Sequence, residues 1–197
     1  DAIAHSMTTI STGGFSTHNS SLSNFNSMNI ELISILFMII GSLPFVVYLK
    51  MCHGNLKSIF KDDQIKLFFF ILCSLIIITT FWLKINLNAN VLYSFRIATF
   101  NIISILTGTG YTTTNYNVWG GFGLVIMLII MFIGGCAGST TGGIKIFRLQ
   151  LLFRGAKTQI KKLTHPHGVF ITTFNENSVS EDTYNSIMGF FFMYILV

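Results

Sequence analysis

The composition of this 197-residue chain is unlike that of a soluble domain. Hydrophobic residues make up 51% of it and charged residues only 10%, whereas an ordinary soluble domain has roughly 25% charged residues. So few charged groups cannot cover a surface in water, and we expect lipid to surround much of the chain. The net charge of +5 does not indicate a nucleic-acid partner, since most basic residues lie in two segments next to apolar stretches, as in the cytoplasmic loops of membrane proteins.

The first distinctive element in chain order is a Thr/Gly-rich string, ISTGGFST, at residues 10–17. An apolar stretch follows at residues 30–49, with Glu31 as its only charged residue. A helix of about 20 apolar residues spans the hydrocarbon core of a bilayer, which is about 30 Å thick. We therefore predict a membrane-spanning helix here, and two more at residues 67–83 and 118–144, which contain no charged residue.

Two basic segments orient these spans. Residues 50–66 and 145–182 together contain 10 of the 12 lysines and arginines, and loops rich in these residues stay in the cytoplasm. The span at residues 67–83 then leaves the cytoplasm, and the span at residues 118–144 returns to it. We predict that the segment between them begins and ends on the outer side of the membrane.

A short apolar stretch, residues 97–106, lies between these two outer ends. It cannot cross a bilayer, so we predict that it enters the membrane and returns on the same side. A helix lying on the outer surface is the alternative. Arg96, just before this stretch, is expected to extend outward to water.

The string after this stretch, LTGTGYTT at residues 106–113, resembles the string at residues 10–17. Gly110 corresponds to Gly14, and an aromatic residue follows each. Each string comes after a helical stretch and before Asn-rich residues, a long span and a basic segment. This order indicates an internal repeat of membrane helix, re-entrant pore helix and membrane helix.

The predicted fold class is therefore an all-α membrane protein built from such repeats, present here in part. Residues 1–63 would end one repeat, residues 64–163 would form a complete one, and residues 164–197 would contain a cytoplasmic loop and the start of another. The chain begins at Asp1 and ends inside an apolar run. We expect it to be a fragment of a longer protein.

The Thr/Gly strings have the chemistry that a dehydrated alkali cation needs. Backbone carbonyls bind such an ion where glycine permits unusual dihedral angles. A short helix whose C-terminal end points at the string adds a favourable dipole. Each string alone is also typical of a simple turn, but two of them after matching helices predict an ion filter. The predicted filter residues are Thr12, Gly13, Gly14, Gly108, Thr109 and Gly110.

The span at residues 118–144 ends in a glycine-rich string, GGCAGSTTGG. Each glycine disfavours a helix interior by about 1 kcal/mol, so we predict a break in the helix inside the membrane. A flexible helix end is the alternative. A phosphate-binding loop is disfavoured because Lys145 lacks the Gly-Lys-Ser/Thr context. The glycines of the predicted break are Gly134, Gly135, Gly138, Gly142 and Gly143.

These strings resemble motifs of the Trk/Ktr/HKT superfamily of potassium transporters. STGGFSTH and TGTGYTT are similar to its second and third filter loops, and GGCAGSTTGGIKIFR is similar to the TrkH type. The resemblance covers essentially the whole chain. It implies four repeats around one pore, with the end of the second repeat, the third, and the start of the fourth present here. It also implies that one glycine in each loop, Gly14 or Gly110, is the filter glycine, and that the flanking residues Thr12, Gly13, Gly108 and Thr109 offer carbonyls.

The resemblance implies a function and partners as well. It implies potassium uptake across the bacterial inner membrane, with the glycine-rich break acting as a gate below the filter. It implies a homodimer that works with a cytoplasmic nucleotide-binding subunit of the TrkA type. The filter loops would face the periplasm and the basic loops the cytoplasm. Membrane lipid is a further partner, and no cofactor is expected apart from the transported potassium ion.

Three alternative functions stay open from the sequence. A transporter of the same superfamily for sodium, or for sodium and potassium together, would have the same loops. A membrane enzyme would need converging acid, base or metal-binding residues, which the long spans do not offer, so we predict that the chain is not an enzyme. A non-transporting membrane subunit would not need two matching re-entrant loops.

Overall fold

The computed structural model describes residues 1–54, 61–165, 168, 170, 172–175 and 177–196. Parts of the predicted basic loop at residues 50–66 and of the last predicted segment, residues 164–197, lie outside this range. The described residues are mainly helical, which confirms the all-α class. The helices are α1 (Ala2–Ile10), α2 (Met28–Ser42), α3 (Phe45–Cys52), α4 (Asp63–Leu87), α5 (Val91–Leu106), α6 (Gly120–Phe132), α7 (Ile146–Thr164) and α8 (Glu181–Leu196). Strands β1 (Thr173–Phe174) and β2 (Asn177–Ser178) form a small antiparallel hairpin.

Helix α4 is long and apolar enough to cross a bilayer, as predicted for residues 67–83. It has 25 residues, and its most apolar stretch has a mean hydropathy of 2.3. Asp62 caps its start, because its side chain accepts a hydrogen bond from the N–H of Gln64. Only 28% of the apolar stretch is buried, and large side chains such as Phe70 and Phe81 are exposed. Much of the surface of α4 is therefore available to lipid.

The predicted span at residues 30–49 is two helices instead of one. Helix α2 ends at Ser42, α3 begins at Phe45, and the two are bent by 94°. Pro44 causes the break, because proline lacks an N–H group and its ring clashes with the preceding helical turn. It also drives Leu43 into extended backbone, with ψ at 156°. The prediction of one continuous helix was wrong because it counted apolar residues and ignored the proline, although the two helices together are apolar enough for one broken span.

The predicted span at residues 118–144 is helical only in its first part. A short 3₁₀ helix, Tyr116–Trp119, leads into α6, which has 13 residues and ends at Phe132. The next helix, α7, begins at Ile146. The predicted break at the glycine-rich string is confirmed, and it leaves the predicted span with a helical part of only 13 residues.

Helix α5 is the predicted re-entrant helix, and it begins earlier than residue 97. Asn90 caps it by accepting a hydrogen bond from the N–H of Leu92. With 16 residues it is shorter than a bilayer crossing. It packs against α2, α4 and α6, and side chains such as Phe100 and Ile102 are fully buried. This burial excludes a helix lying on the outer surface.

Candidate ion-conduction site

The loops that follow α1 and α5 are folded by the same hydrogen bonds. After α1, the N–H of Gly14 donates to the carbonyl of Thr8 (3.4 Å), and the Thr8 hydroxyl donates to the carbonyl of the residue after Gly14 (2.9 Å). After α5, the N–H of Gly110 donates to the carbonyl of Ser104 (3.0 Å), and the Ser104 hydroxyl donates to the carbonyl of the residue after Gly110 (2.7 Å). The last turn of each helix therefore shapes the loop in the same way.

Each loop contains two residues with positive φ at corresponding positions. In the first loop they are Thr12 (52°) and Gly14 (66°), and in the second they are Gly108 (71°) and Gly110 (82°). Glycine adopts this conformation without steric cost, whereas a residue with a side chain does so uncommonly. The unusual backbone expected of an ion filter is therefore present in both loops.

The two loops meet at Gly14 and Thr109. A Cβ atom on Gly14 would lie 1.6 Å from the carbonyl oxygen of Thr109 and 2.7 Å from its carbonyl carbon. Real atoms cannot approach so closely, so this contact requires glycine. At Gly110, by contrast, no atom of the described residues other than Gly110 and its two chain neighbours lies within 4 Å of the Cβ position. One predicted filter glycine thus forms the contact between loops, and the other faces open space.

The side chain of Tyr111 joins the second loop to α1. It is fully buried, and its hydroxyl oxygen lies 2.6 Å from the hydroxyl oxygen of Thr8. The same hydroxyl lies within hydrogen-bond distance, 3.2 Å, of the carbonyl oxygen of His5. Both partners belong to the pore helix of the preceding predicted repeat. The aromatic residue after Gly110 therefore holds the two repeats together, a role that the sequence analysis did not assign.

The glycine-rich string forms a closed loop. The N–H of Gly134 donates to the carbonyl of Ile144 (2.9 Å), and the N–H of Ile144 donates to the carbonyl of the last residue of α6 (2.9 Å). A Cβ atom on Gly134 would lie 1.9 Å from the carbonyl oxygen of Gly142. Gly138 and Gly143 have φ values of 77° and 70°. This regular hydrogen bonding excludes the alternative of a flexible helix end.

This closed loop packs into the break between α2 and α3. The kink at Pro44 leaves backbone groups on both sides without helical partners, and buried groups of this kind need hydrogen bonds. The glycine-rich loop therefore supplies hydrogen-bond partners to the backbone groups that the kink leaves unpaired. The bonds between them are Cys136 N–H to Ser42 O (3.0 Å), Thr140 N–H to Gly41 O (3.1 Å) and Phe45 N–H to Gly138 O (2.9 Å).

Thr140 connects the glycine-rich loop to the first filter loop. Its hydroxyl lies within donating distance of two carbonyls, that of Gly41 in α2 (3.1 Å) and that of Ile10, the last residue of α1 (3.2 Å). The hydroxyl of Thr12 in turn donates to the Thr140 hydroxyl oxygen (3.3 Å). The second filter loop is also close, because a Cβ atom on Gly108 would lie 3.7 Å from the backbone nitrogen of Gly142. The glycine-rich loop therefore lies next to both filter loops.

The whole chain, residues 1–197, matches the family model TrkH, which is described as a cation transport protein. The chain belongs to the TrkH family. This confirms the resemblance stated from the sequence. Because TrkH proteins are transport proteins, it also confirms the prediction that the chain is not an enzyme.

Relatives in the TrkH family align along the whole chain. It is 32% identical over 197 residues to the Trk system potassium uptake protein TrkI of Halomonas elongata. It is 35% identical over 200 residues to the Trk system potassium uptake protein TrkH of Escherichia coli K12. These alignments cover 100% of this chain but 40% and 41% of the two relatives. The chain therefore spans about two fifths of their length.

A crystal structure from the TrkH family has the same fold. The potassium transporter TrkH from Vibrio parahaemolyticus matches with a TM-score of 0.93 and 34% sequence identity. The match covers 100% of this chain and 43% of the crystallised one. It confirms the predicted membrane-protein fold with pore-helix repeats.

The predicted site residues fall into two adjacent groups. The first group contains Thr12, Gly13 and Gly14 in one loop and Gly108, Thr109 and Gly110 in the other, and Gly14 contacts Thr109. The second group is the five glycines of the break, whose loop contacts Thr12 through Thr140. Their roles in filter and gate stay predictions. Sequence analysis missed Pro44 and Thr140, although a lone proline inside an apolar span is a visible signal for a break.

Sequence analysis also missed an ion pair between two repeats. The Nε and Nη2 atoms of Arg96 on α5 donate to the two carboxylate oxygens of Glu31 on α2, at 2.7 and 2.8 Å. The side chains of Glu31 and Arg96 are 10% and 35% exposed. Arg96 is partly exposed, as expected of a side chain that extends outward, but its guanidinium is bound to a carboxylate that lies far away in sequence, which no local pattern could predict.

Proposed function

We propose that the protein that contains this chain takes up potassium ions across the bacterial inner membrane. The observation that carries this proposal is the contact between Gly14 and Thr109, which brings the backbones of two Thr/Gly loops together. Backbone carbonyls gathered in this way bind a monovalent cation without a fixed charge. The names of the two curated relatives, which are potassium uptake proteins, support potassium as the ion.

In this proposal the carbonyls of the two loops bind the ion as it passes. Helices α1 and α5 both end at these loops, so the partial negative charge of each helix end favours a cation there. Two loops form only part of a ring. Two more, from the remainder of a full-length protein, would complete it.

The glycine-rich loop is the proposed gate. It lies next to both filter loops and is held closed by its own hydrogen bonds. The ammonium group of Lys145 donates to the carbonyl and the hydroxyl (3.0 Å) of Thr141, within this loop. A positive charge held beside the ion path repels a potassium ion. Opening the loop would remove both the backbone and this charge from the path.

The same proposal includes an orientation and partners. The basic helix α7, with residues such as Lys157 and Lys161, would face the cytoplasm, and the filter loops would face the periplasm. The relatives belong by name to a Trk system, which supports a cytoplasmic subunit of the TrkA type. A homodimer is proposed from the family resemblance.

A transporter for sodium, or for both ions, is the second candidate. The family resemblance assigns one filter glycine to each loop, Gly14 and Gly110, which leaves fewer layers of carbonyls than a potassium channel has. The open space beside Gly110 leaves room for a different coordination.

The substitution Gly110→Ser in the full-length protein tests both candidates. A side chain at a φ of 82° distorts the carbonyls, so the preference for potassium over sodium should fall by about tenfold, the change that about 1.4 kcal/mol produces. The measurement is potassium uptake with competing sodium, in cells that lack their own potassium uptake. Gly121→Ser, on α6 with open space at its Cβ position, is the control. An unchanged competition profile at normal expression would contradict the filter role, and a wild-type protein that prefers sodium would favour the second candidate.

A further inference from the structure

The start of α4 holds the glycine-rich loop by one hydrogen bond. Gln64, the second residue of α4, is 8% exposed. Its side-chain oxygen accepts the backbone N–H of Ala137 at 2.9 Å. A backbone N–H only donates, so the oxygen of the amide group must face it. Ala137 is the residue before Gly138, so this bond acts in the middle of the loop.

Asp63, the residue before Gln64, is hydrogen-bonded both to α7 and to the hairpin region. The Nη2 atom of Arg154 donates to the carboxylate of Asp63 (2.7 Å), and the side chain of Gln150 donates to its carbonyl (2.7 Å). The N–H of Asp63 donates to the side-chain oxygen of Asn175 (3.1 Å). Arg154 also donates to the carbonyl of Thr173 in β1 (2.8 Å). Helix α7 and the hairpin region are thus both bound to one residue.

Asp63 and Gln64 are consecutive residues in the first turn of α4, so the planar peptide between them makes them move together. We propose that Gln64 is a positioning residue that keeps the glycine-rich loop closed, and that Asp63 transmits movements of α7 to it. A cytoplasmic partner that shifts α7 would then weaken one of the hydrogen bonds that hold the loop, the one from Ala137 to Gln64, and so favour its open form. This proposal rests on the proposed gating role of the loop.

One buried polar group at this junction lowers the stability of the arrangement seen here. The side-chain oxygen of Gln150 is buried and has no hydrogen-bond partner among the described residues. A buried acceptor without a partner lowers stability. A shift of α7 that gives this oxygen a partner would offset part of the cost of breaking the contacts with Asp63, as a two-state junction requires.

Two substitutions of Gln64 in the full-length protein test the hydrogen bond. Gln64→Met keeps the length of the side chain but removes the acceptor, and the maximal rate of potassium uptake should rise by about fivefold. The KM and the preference for potassium over sodium should not change, because the filter is untouched. Gln64→Glu keeps an acceptor, and its charge is favoured at a helix N-terminus, so its rate should stay near wild type. Equal rates in all three proteins would overturn the proposal.

Cys136 supplies a readout that does not depend on transport. It is fully buried in the glycine-rich loop, next to Ala137. With the other cysteines replaced by serine, a thiol-reactive maleimide should label Cys136 several times faster in Gln64→Met than in wild type or Gln64→Glu. Labelling rates that do not differ would show that the bond does not hold the loop.

A double-substitution experiment tests the role of Asp63. Arg154→Met should raise the uptake rate and the labelling of Cys136 on its own, but should add nothing to Gln64→Met if both act through the same bond. Additive effects would overturn the transmission through Asp63. These readouts also apply to Arg154→Met alone if Gln64→Met does not fold.

Deletion of residues 138–142 separates this proposal from the gating role on which it rests. If the deletion raises uptake but Gln64→Met does not, the loop is a gate and Gln64 does not hold it. If the deletion leaves uptake unchanged, the gating role and the role of Gln64 are both wrong.

Discussion

The carbonyl oxygen of Thr109 lies in the space that a side chain on Gly14 would need, 1.6 Å from the ideal Cβ position. The two residues belong to different predicted repeats and are brought together by the packing of α1, α2 and α5 and by the hydrogen bonds of Tyr111 to α1. The first filter loop is therefore shaped by the second as well as by its own helix. A substitution at Gly14 should therefore alter the conformation of both loops.

Replacing Gly14 by alanine should abolish potassium uptake by the full-length protein. The added Cβ atom would overlap the Thr109 carbonyl, and the φ of 66° at this position is itself strained for a residue with a side chain. Uptake in cells that lack their own potassium transport measures the effect. Gly121→Ala, which adds a methyl group into open space on α6, should keep wild-type uptake. Uptake by Gly14→Ala above half of the wild-type rate would contradict the observed contact.

Replacing Thr140 by valine should raise potassium uptake by about fivefold. Valine keeps the shape of threonine but loses the hydroxyl that can donate to Gly41 or Ile10 and accepts from Thr12. The loop therefore loses about 1 kcal/mol of hydrogen bonding to α2 and to the first Thr/Gly loop. Initial rates of uptake in cells with matched expression measure this change. Thr140→Ser keeps the hydroxyl and should behave like wild type. Indistinguishable rates in the valine and serine variants would show that this hydroxyl does not hold the gate.

Replacing Arg96 by methionine should destabilise the protein by about 2 kcal/mol. The substitution leaves the carboxylate of Glu31 largely buried without its bidentate partner, and the penalty is lower than for a fully buried pair because Arg96 is partly exposed. Thermal unfolding in detergent measures the loss as a lower Tm. Adding Glu31→Gln should recover part of it, since the unpaired charge is removed. The idea fails if the double variant unfolds at a lower temperature than Arg96→Met alone.

The sequence allowed the prediction of those features that depend on neighbouring residues. The strings around Gly14 and Gly110 predicted two loops with unusual backbone, and both have positive φ at glycine. The five glycines between α6 and α7 predicted a break in a helix, and the break is present. In each case the conformational freedom of glycine acts within a few residues, so composition is enough to predict it.

Prediction from hydrophobicity alone was wrong where a single residue breaks the helix within a long apolar stretch. Residues 30–49 have the composition of a span, but Pro44 removes a backbone donor and breaks the helix. The proline was visible in the sequence. The sequence did not show that a glycine-rich loop supplies the hydrogen bonds missing at this break, because the two segments are about 90 residues apart.

The sequence by itself determined that this chain is a helical membrane protein with two Thr/Gly loops and a glycine-rich break, because composition and glycine act locally. Only the tertiary structure decided which groups meet: Gly14 with Thr109, Glu31 with Arg96, and Gln64 with Ala137. These contacts join residues far apart in the chain. The geometry of these contacts depends on how whole helices pack, and a short pattern of residues does not predict that packing.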